Sequence, residues 1–99
     1  MKLIDIIPSK NKNKKYTAIF EIDDDKIKKI SFGASGYQDY TLTKNKDKRR
    51  LYRARHKHDN INNPLTPGAL SFYILWGDST NINKNIQNYK KKFDLWYFF

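Results

Sequence analysis

The chain has 99 residues, contains no cysteine, and carries 20 Lys and Arg against 10 Asp and Glu, for a formal net charge of +10. This length fits one domain with a single core, and the lack of cysteine excludes a disulfide framework and a thiolate metal site. The large positive charge indicates a polyanionic partner: nucleic acid, an anionic membrane surface or an acidic protein surface.

The N-terminal third alternates apolar and polar residues with the period of two that is typical of strands. Residues 3–7 are predicted to form a strand. This apolar run is too short for a signal peptide, and it is interrupted by Asp5 and followed by Pro8. Residues 9–15 are polar and basic, which predicts a loop or arm. A β-hairpin is predicted over 16–32, with its turn at Asp23–Asp25.

The next segment with helical spacing carries most of the basic charge. A first helix is predicted over 44–58, where Leu51, Ala54 and His58 fall at spacings of three and four. This narrow apolar stripe is expected to face the core.

Two further helices and an apolar tail complete the chain. A buried helix is predicted over 67–76, because Thr66 followed by Pro67 is a typical helix start and the residues after it are apolar nearly all round. An amphipathic helix is predicted over 80–93, followed by the tail 95–99. Strands followed by about three helices predict a single-domain α+β fold, with helices on one face of a small antiparallel sheet.

The predicted first helix contains all four arginines of the chain, and Asp47 is its one acidic residue. With Leu51 facing inward, Arg55 and Asp47 lie near the core, and Arg55 is expected to pair with a carboxylate such as Asp39 or Asp59. The outward basic residues are predicted to contact nucleic-acid phosphates, the alternative being a merely solvated helix face. These residues are Lys46, Arg49, Arg50, Arg53, His56 and Lys57.

Three tyrosines, Tyr37, Tyr40 and Tyr52, lie beside this basic segment. Exposed aromatic rings next to arginines stack on unpaired bases in proteins that bind single strands. The tyrosines are therefore candidates for base stacking, and packing of their rings in the core is the alternative.

No arrangement of residues in the sequence indicates catalysis. His56 and His58 stand two apart and do not share a helix face, and Asp23–Asp25 is explained as a turn. We therefore expect no enzymatic activity, no metal, no cofactor and no small-molecule substrate.

The tail Leu95, Trp96, Tyr97, Phe98 and Phe99 is apolar throughout. Soluble monomers avoid exposing such a patch, so the tail is predicted either to cap the core or to form an interface with a partner protein.

Three stretches of the chain resemble a family of small, uncharacterised proteins encoded by nucleocytoplasmic large DNA viruses. They are the end of the predicted hairpin with the segment after it, Ile30–Thr41, and the segments Arg49–His56 and Thr66–Trp76, so the resemblance extends over about residues 16–77. The resemblance implies a viral source, and a location in the virion, the host cytoplasm or the viral factory. Together with the basic helix, this makes a genome-associated protein the expectation, one that binds nucleic acid largely independently of sequence, with DNA favoured over RNA. The alternative is a minor capsid protein that bridges shell subunits and genome. No membrane insertion is expected, because no segment approaches the length of about 20 apolar residues that a membrane span needs.

Overall fold

Three strands and four helices follow one another in the computed structural model, which describes residues 1–23 and 25–96. The strands are β1 (Lys2–Pro8), β2 (Lys14–Asp23) and β3 (Lys26–Ala34). The helices are α1 (Tyr40–Thr43), α2 (Lys46–His56), α3 (Pro67–Leu70) with its direct continuation as a π-helix (Ser71–Leu75), and α4 (Ile82–Phe93). The predicted α+β fold is confirmed. We refer to α3 and the π-helix together as the buried helix.

The strands form one antiparallel sheet in the order β1-β2-β3. The predicted hairpin and the additional N-terminal strand are therefore both present. The predicted loop over 9–15 is shorter than expected, because Lys14 and Lys15 already belong to β2. Its ends are joined by a hydrogen bond of 3.1 Å from the amide of Ser9 to the carbonyl of Lys15.

The core lies between one face of the sheet and the helices. The sheet contributes five buried side chains, which are Leu3, Ala18, Phe20, Ile30 and Phe32. The buried helix contributes Ala69, Leu70, Ile74 and Leu75, and the C-terminal part contributes Tyr89 and Leu95. The prediction that the segment 67–76 supplies the centre of the domain is thus confirmed.

The buried helix begins and ends as its sequence dictates. The hydroxyl of Thr66 accepts a hydrogen bond of 3.2 Å from the amide of Ala69, which caps the helix start. At the other end the amide of Trp76 donates to the carbonyl of Ser71, closing a wider π-helical turn. A Cβ on Gly77 would lie 2.1 Å from the carbonyl oxygen of Tyr73, so only glycine fits directly after this turn.

Helix α4 is tied to the end of the buried helix by Asn85, which is fully buried. Its amide nitrogen donates to the carbonyls of Ile74 and Ser79 at 2.9 and 2.7 Å, and its amide oxygen accepts from the amide of Ser79. The helix starts at Ile82, two residues later than the predicted boundary, because Asn81 caps its first turn.

Two residues of the tail are described, Leu95 and Trp96, and the first of them packs into the core of the same chain. Leu95 is fully buried, and its carbonyl accepts a hydrogen bond of 3.0 Å from the amide of Leu3. Trp96 pairs with Lys2 and keeps 41% of its surface exposed. The prediction of a partner interface is therefore wrong for Leu95, because this side chain is already covered by the sheet and α4. Residues 97–99, which belong to the same prediction, lie outside the described residues.

Replacement of Leu95 by Ala should lower the free energy of unfolding by about 2–5 kcal/mol, because it leaves a cavity in the core. Urea denaturation followed by circular dichroism measures this change. Leu42→Ala is the matched control, since Leu42 is 65% exposed, and it should cost less than about 0.5 kcal/mol. Equal effects of the two substitutions would contradict the packing of the tail described here.

Tyr89 predicts how stability responds to alkaline pH. Its ring is buried, its hydroxyl donates to the carbonyl of Pro64 at 2.8 Å, and burial raises the pKa of this hydroxyl far above its ordinary value. In the unfolded chain the same hydroxyl ionises near pH 10, so its contribution to stability is complete below that pH and declines above it. Each pH unit above about 10 should cost up to about 1.4 kcal/mol through this residue.

The substitution Tyr89→Phe tests this contribution. Denaturation curves measured from neutral pH to above pH 10 should show a shallower loss of stability in the variant, even though its stability at pH 7 is lower by about 1 kcal/mol. A slope identical to that of the wild type would refute the assignment.

Candidate nucleic-acid interface

Helix α2 is present within the predicted range, but it is rotated relative to the prediction. The side chains that face the domain are Arg49, Tyr52, Arg53 and His56, spaced by three, one and three residues. Leu51, expected to be the inward residue, is 48% exposed. The prediction assumed that apolar residues mark the buried side of the helix, whereas α2 packs through aromatic rings and guanidinium groups.

Arg53 binds the C-terminal end of the buried helix. One of its terminal nitrogens donates to the carbonyls of Phe72 and Trp76 at 3.1 and 2.8 Å, and the guanidinium lies 4.0 Å from the centre of the Phe72 ring. Carbonyls at a helix end lack intrahelical donors, and a positive charge there is favourable. Burial, followed by the neighbouring Arg49, lowers the pKa of Arg53 from its ordinary value. Arg53 was predicted to contact phosphate, but its guanidinium is engaged inside the domain, where it has a structural role.

Arg49 fixes the turn after the buried helix in the same way. Its Nε donates to the carbonyl of Gly77 at 2.7 Å, and a terminal nitrogen pairs with the carboxylate of Asp78 at 2.8 Å. The guanidinium also lies 5.6 Å from the centre of the Tyr40 ring. Like Arg53, it is engaged within the domain, so its predicted role as a phosphate contact is also corrected.

Three aromatic rings form a continuous stack between α2 and the buried helix. The Tyr52 ring lies 4.3 Å from Trp76, at an angle of 6° between the planes, and 4.2 Å from His56. Burial, followed by the charge of Asp59, raises the pKa of Tyr52. His56 is held in addition by a contact of 2.7 Å between its Nδ1 and the carboxylate of Asp59. Its ring is therefore partly engaged within the domain, in contrast to the free outward position that the sequence predicts for it.

The ring stack and the burial of Tyr40 determine which of the predicted base-stacking tyrosines has a free ring face. Tyr52 has a ring on each of its faces, and Tyr40 is only 6% exposed, so neither offers a free face to a base. Tyr37, by contrast, is 73% exposed. It stands in the turn between β3 and α1, where Gly36 adopts a left-handed φ of 85°.

A groove of about 410 Å³ opens between this turn and α2. We call it the Tyr37 groove. Its walls include the side chains Tyr37, Gln38, Lys48, Leu51, Arg55 and Trp76. On the rim, the ammonium of Lys48 donates to the side-chain oxygen of Gln38 at 3.2 Å.

Lys15 and Asp39, which we call the floor of the Tyr37 groove, line it as a largely buried ion pair. The ammonium of Lys15 lies 2.6 Å from one carboxylate oxygen of Asp39, whose other oxygen accepts from the amide of Thr41 at 2.9 Å and so caps α1. Arg55 was expected to pair with Asp39 or Asp59, but these carboxylates are bound by Lys15 and His56. Arg55 and Asp47, both predicted near the core, are exposed because of the rotation of α2.

The exposed cations of α2, together with Lys57, which directly follows the helix, form two rows. The outer row is Lys46, Arg50 and Lys57, all exposed as predicted, and the groove row is Lys48 and Arg55. A helix turns by about 100° per residue, which places the two rows on opposite flanks of the inward stripe. No described carboxylate pairs with any of these side chains. They are therefore available to an anionic partner.

None of the helices in 1–23 and 25–96 has the length and apolarity needed to cross a membrane. The same residues contain no cluster of three or more His, Cys, Asp or Glu side chains with the geometry of a metal site.

Residues 4–56, which are more than half of the chain, match the sequence model of a family of unknown function, DUF5754. The chain belongs to DUF5754. No match was found among curated proteins or among solved structures. The DUF5754 region runs from within β1 to the end of α2, so it contains nearly all of the sheet, the turn at Tyr37 and every member of the two basic rows except Lys57.

Sequence reasoning missed the groove and the structural arginines for identifiable reasons. The signal for the inward face of α2 was an aromatic and basic stripe at positions 49, 52, 53 and 56, which has helical spacing but little apolar character. The floor joins Lys15 to Asp39, which are 24 residues apart. No local pattern of residues indicates such a pair.

Arg53 and Arg55 provide a matched test of the orientation of α2. Arg53→Ala should lower the free energy of unfolding by about 2–3 kcal/mol, because two carbonyls lose a charged donor. Arg55→Ala should change it by less than about 0.5 kcal/mol, because this side chain is exposed. Chemical denaturation of both variants provides the comparison, and a larger loss in Arg55→Ala would show that the helix is rotated differently.

Proposed function

We propose that the protein binds nucleic acid through the two exposed basic rows of α2, by electrostatic contacts with phosphates that depend little on sequence. The observation that supports this proposal is the position of these cations. They are solvent-exposed, lie on one helix or, in the case of Lys57, directly after it, and have no described acidic partner.

The dimensions of the helix suit a nucleic-acid strand. Helix α2 has 11 residues, which corresponds to a length of about 16 Å. Phosphates of one strand recur about every 3.4 Å along a duplex axis, so the helix extends over about five of them. Arg50 and Arg55 add the bidentate geometry toward phosphate that lysine lacks.

The other polyanions fit this surface less well. A helix that lies on a membrane needs a wide apolar face, whereas Leu51 is the one large aliphatic side chain of α2. The net charge of +10 favours a long polyanion over a small acidic patch, because long-range attraction grows with the charge of both partners. The resemblance to proteins of large DNA viruses makes DNA the preferred nucleic acid and a genome-associated role the preferred one.

Charge reversal on both rows tests the proposal. The variant Arg50→Glu, Arg55→Glu, Lys57→Glu should bind a fluorescently labelled oligonucleotide at least about 100-fold more weakly than the wild type at low salt. The slope of log affinity against log salt should also decrease by about 2, since each lost phosphate contact contributes about 0.7 on a single strand. Anisotropy titrations at several salt concentrations measure both quantities.

The matched control reverses three exposed lysines on other elements, Lys10→Glu, Lys84→Glu and Lys91→Glu. This variant has the same net charge as the first one, so it separates a local surface from a general charge effect. Equal losses in the two variants would contradict a binding surface on α2. A wild-type protein that fails to bind at low salt would refute the function itself.

A further inference from the structure

From the shape of the Tyr37 groove we infer that it accepts an unpaired nucleobase, and that the protein therefore prefers single-stranded over duplex nucleic acid. This inference rests on the proposed function, and it adds the class of nucleic acid and the place where a base is held.

The size of the groove matches one nucleotide. Its volume of about 410 Å³ lies within the range of about 300–1,000 Å³ of small-molecule sites in proteins. A paired and stacked base cannot reach such a recess, because its faces are covered and its edge is engaged with the opposite strand. A base of a single strand enters it without this cost.

The walls offer surface that a base would cover. Tyr37 and Leu51 are 73% and 48% exposed, and they line the groove from different elements, the turn before α1 and helix α2. Aromatic and apolar side chains exposed beside a groove are the usual contacts of single-stranded nucleic acid, since every base has a flat face to stack. Tyr37 thus retains the role that the sequence predicts for it, without Tyr40 and Tyr52.

The wall formed by α2 is rigid. Tyr52 is fixed between Trp76 and His56, and His56 is fixed in turn by Asp59. A wall whose side chains are already ordered loses little conformational entropy on binding. The stack therefore supports the groove, while the exposed ring of Tyr37 is the one that closes on the base.

The charges around the groove favour an occupant with phosphates. Lys48 and Arg55, the groove row, both line it and are exposed, so they can bind the phosphates on either side of the inserted base. The floor is already neutralised, since Lys15 and Asp39 pair with each other. The Lys15–Asp39 pair therefore has no excess charge that would attract a metal ion or a small anion. The charges that attract a phosphate are those of Lys48 and Arg55.

The experiment compares three labelled probes of equal length: a single strand of deoxythymidine, the same strand with abasic sites, and a duplex. The abasic strand keeps its phosphates and loses its bases. The wild-type protein should bind the thymidine strand about tenfold more tightly than the abasic strand at the same salt concentration, and more tightly than the duplex. Tyr37→Ala should remove most of this tenfold difference and leave the affinity for the abasic strand unchanged.

Two control variants make the result specific. Tyr37→Phe keeps the ring and should bind the thymidine strand as the wild type does. Ile27→Ala removes another apolar side chain that is 54% exposed and does not line the groove, so it should change none of the three affinities.

Each contrary result has a distinct meaning. If the wild type binds all three probes within twofold of one another, the inference fails while the proposed function stands. If it binds none of them, both fail. A difference between the thymidine and abasic strands that survives in Tyr37→Ala would place the base elsewhere and overturn the groove. Self-association of the wild type that Tyr37→Ala abolishes would assign the groove to a second copy of the chain and overturn it as well.

Discussion

The attachment of Arg49 and Arg53 to the end of the buried helix is the interaction on which the rest of the structure depends. The two guanidinium groups bind the carbonyls of Phe72, Trp76 and Gly77, where the π-helical turn leaves the chain without regular backbone donors. They fix the rotation of α2 about its own axis. With that rotation set, Tyr52 must stack on Trp76, Leu51 must face outward, and the remaining cations must divide between two flanks of the helix.

The positions of strands and helices could be predicted because each depends on residues close together in sequence. The alternation in residues 16–32 dictates the hairpin, and Thr66 with Pro67 marks the start of the buried helix. The rotation of α2 could not be predicted in this way, because its inward residues satisfy carbonyls more than 15 residues away. Apolar periodicity identifies a buried face only when hydrophobic burial orients the helix, and here charged hydrogen bonds do so.

The same reasoning explains which parts of the candidate site could be foreseen. Lys46, Arg50 and Lys57 are exposed as predicted, because they lie on a flank of the helix, about a quarter turn from both the predicted and the observed inward side. Arg49, Arg53 and Tyr40 are residue types common at nucleic-acid interfaces, yet they are used inside this domain. A basic helix can thus contain two groups of arginine side chains, one bound inside the domain and one exposed to solvent, and only their partners distinguish the groups. The groove itself arises from packing between distant elements, for which the sequence contains no local signal.

The hydrogen bond between Leu3 and Leu95 joins the beginning of the sheet to the residue that completes the core. Contacts between such distant positions are made late in folding, because a long loop must close before they form. During synthesis, the outer edge of β1 therefore stays unpaired at Leu3 until Leu95 has been made. The hairpin β2–β3 can assemble much earlier, so a nascent chain would pass through a stage with a formed sheet and an unprotected first strand. Such an edge is open to pairing with other chains, and the hydrogen bond between Leu3 and Leu95 closes it at one end only after Leu95 has been made.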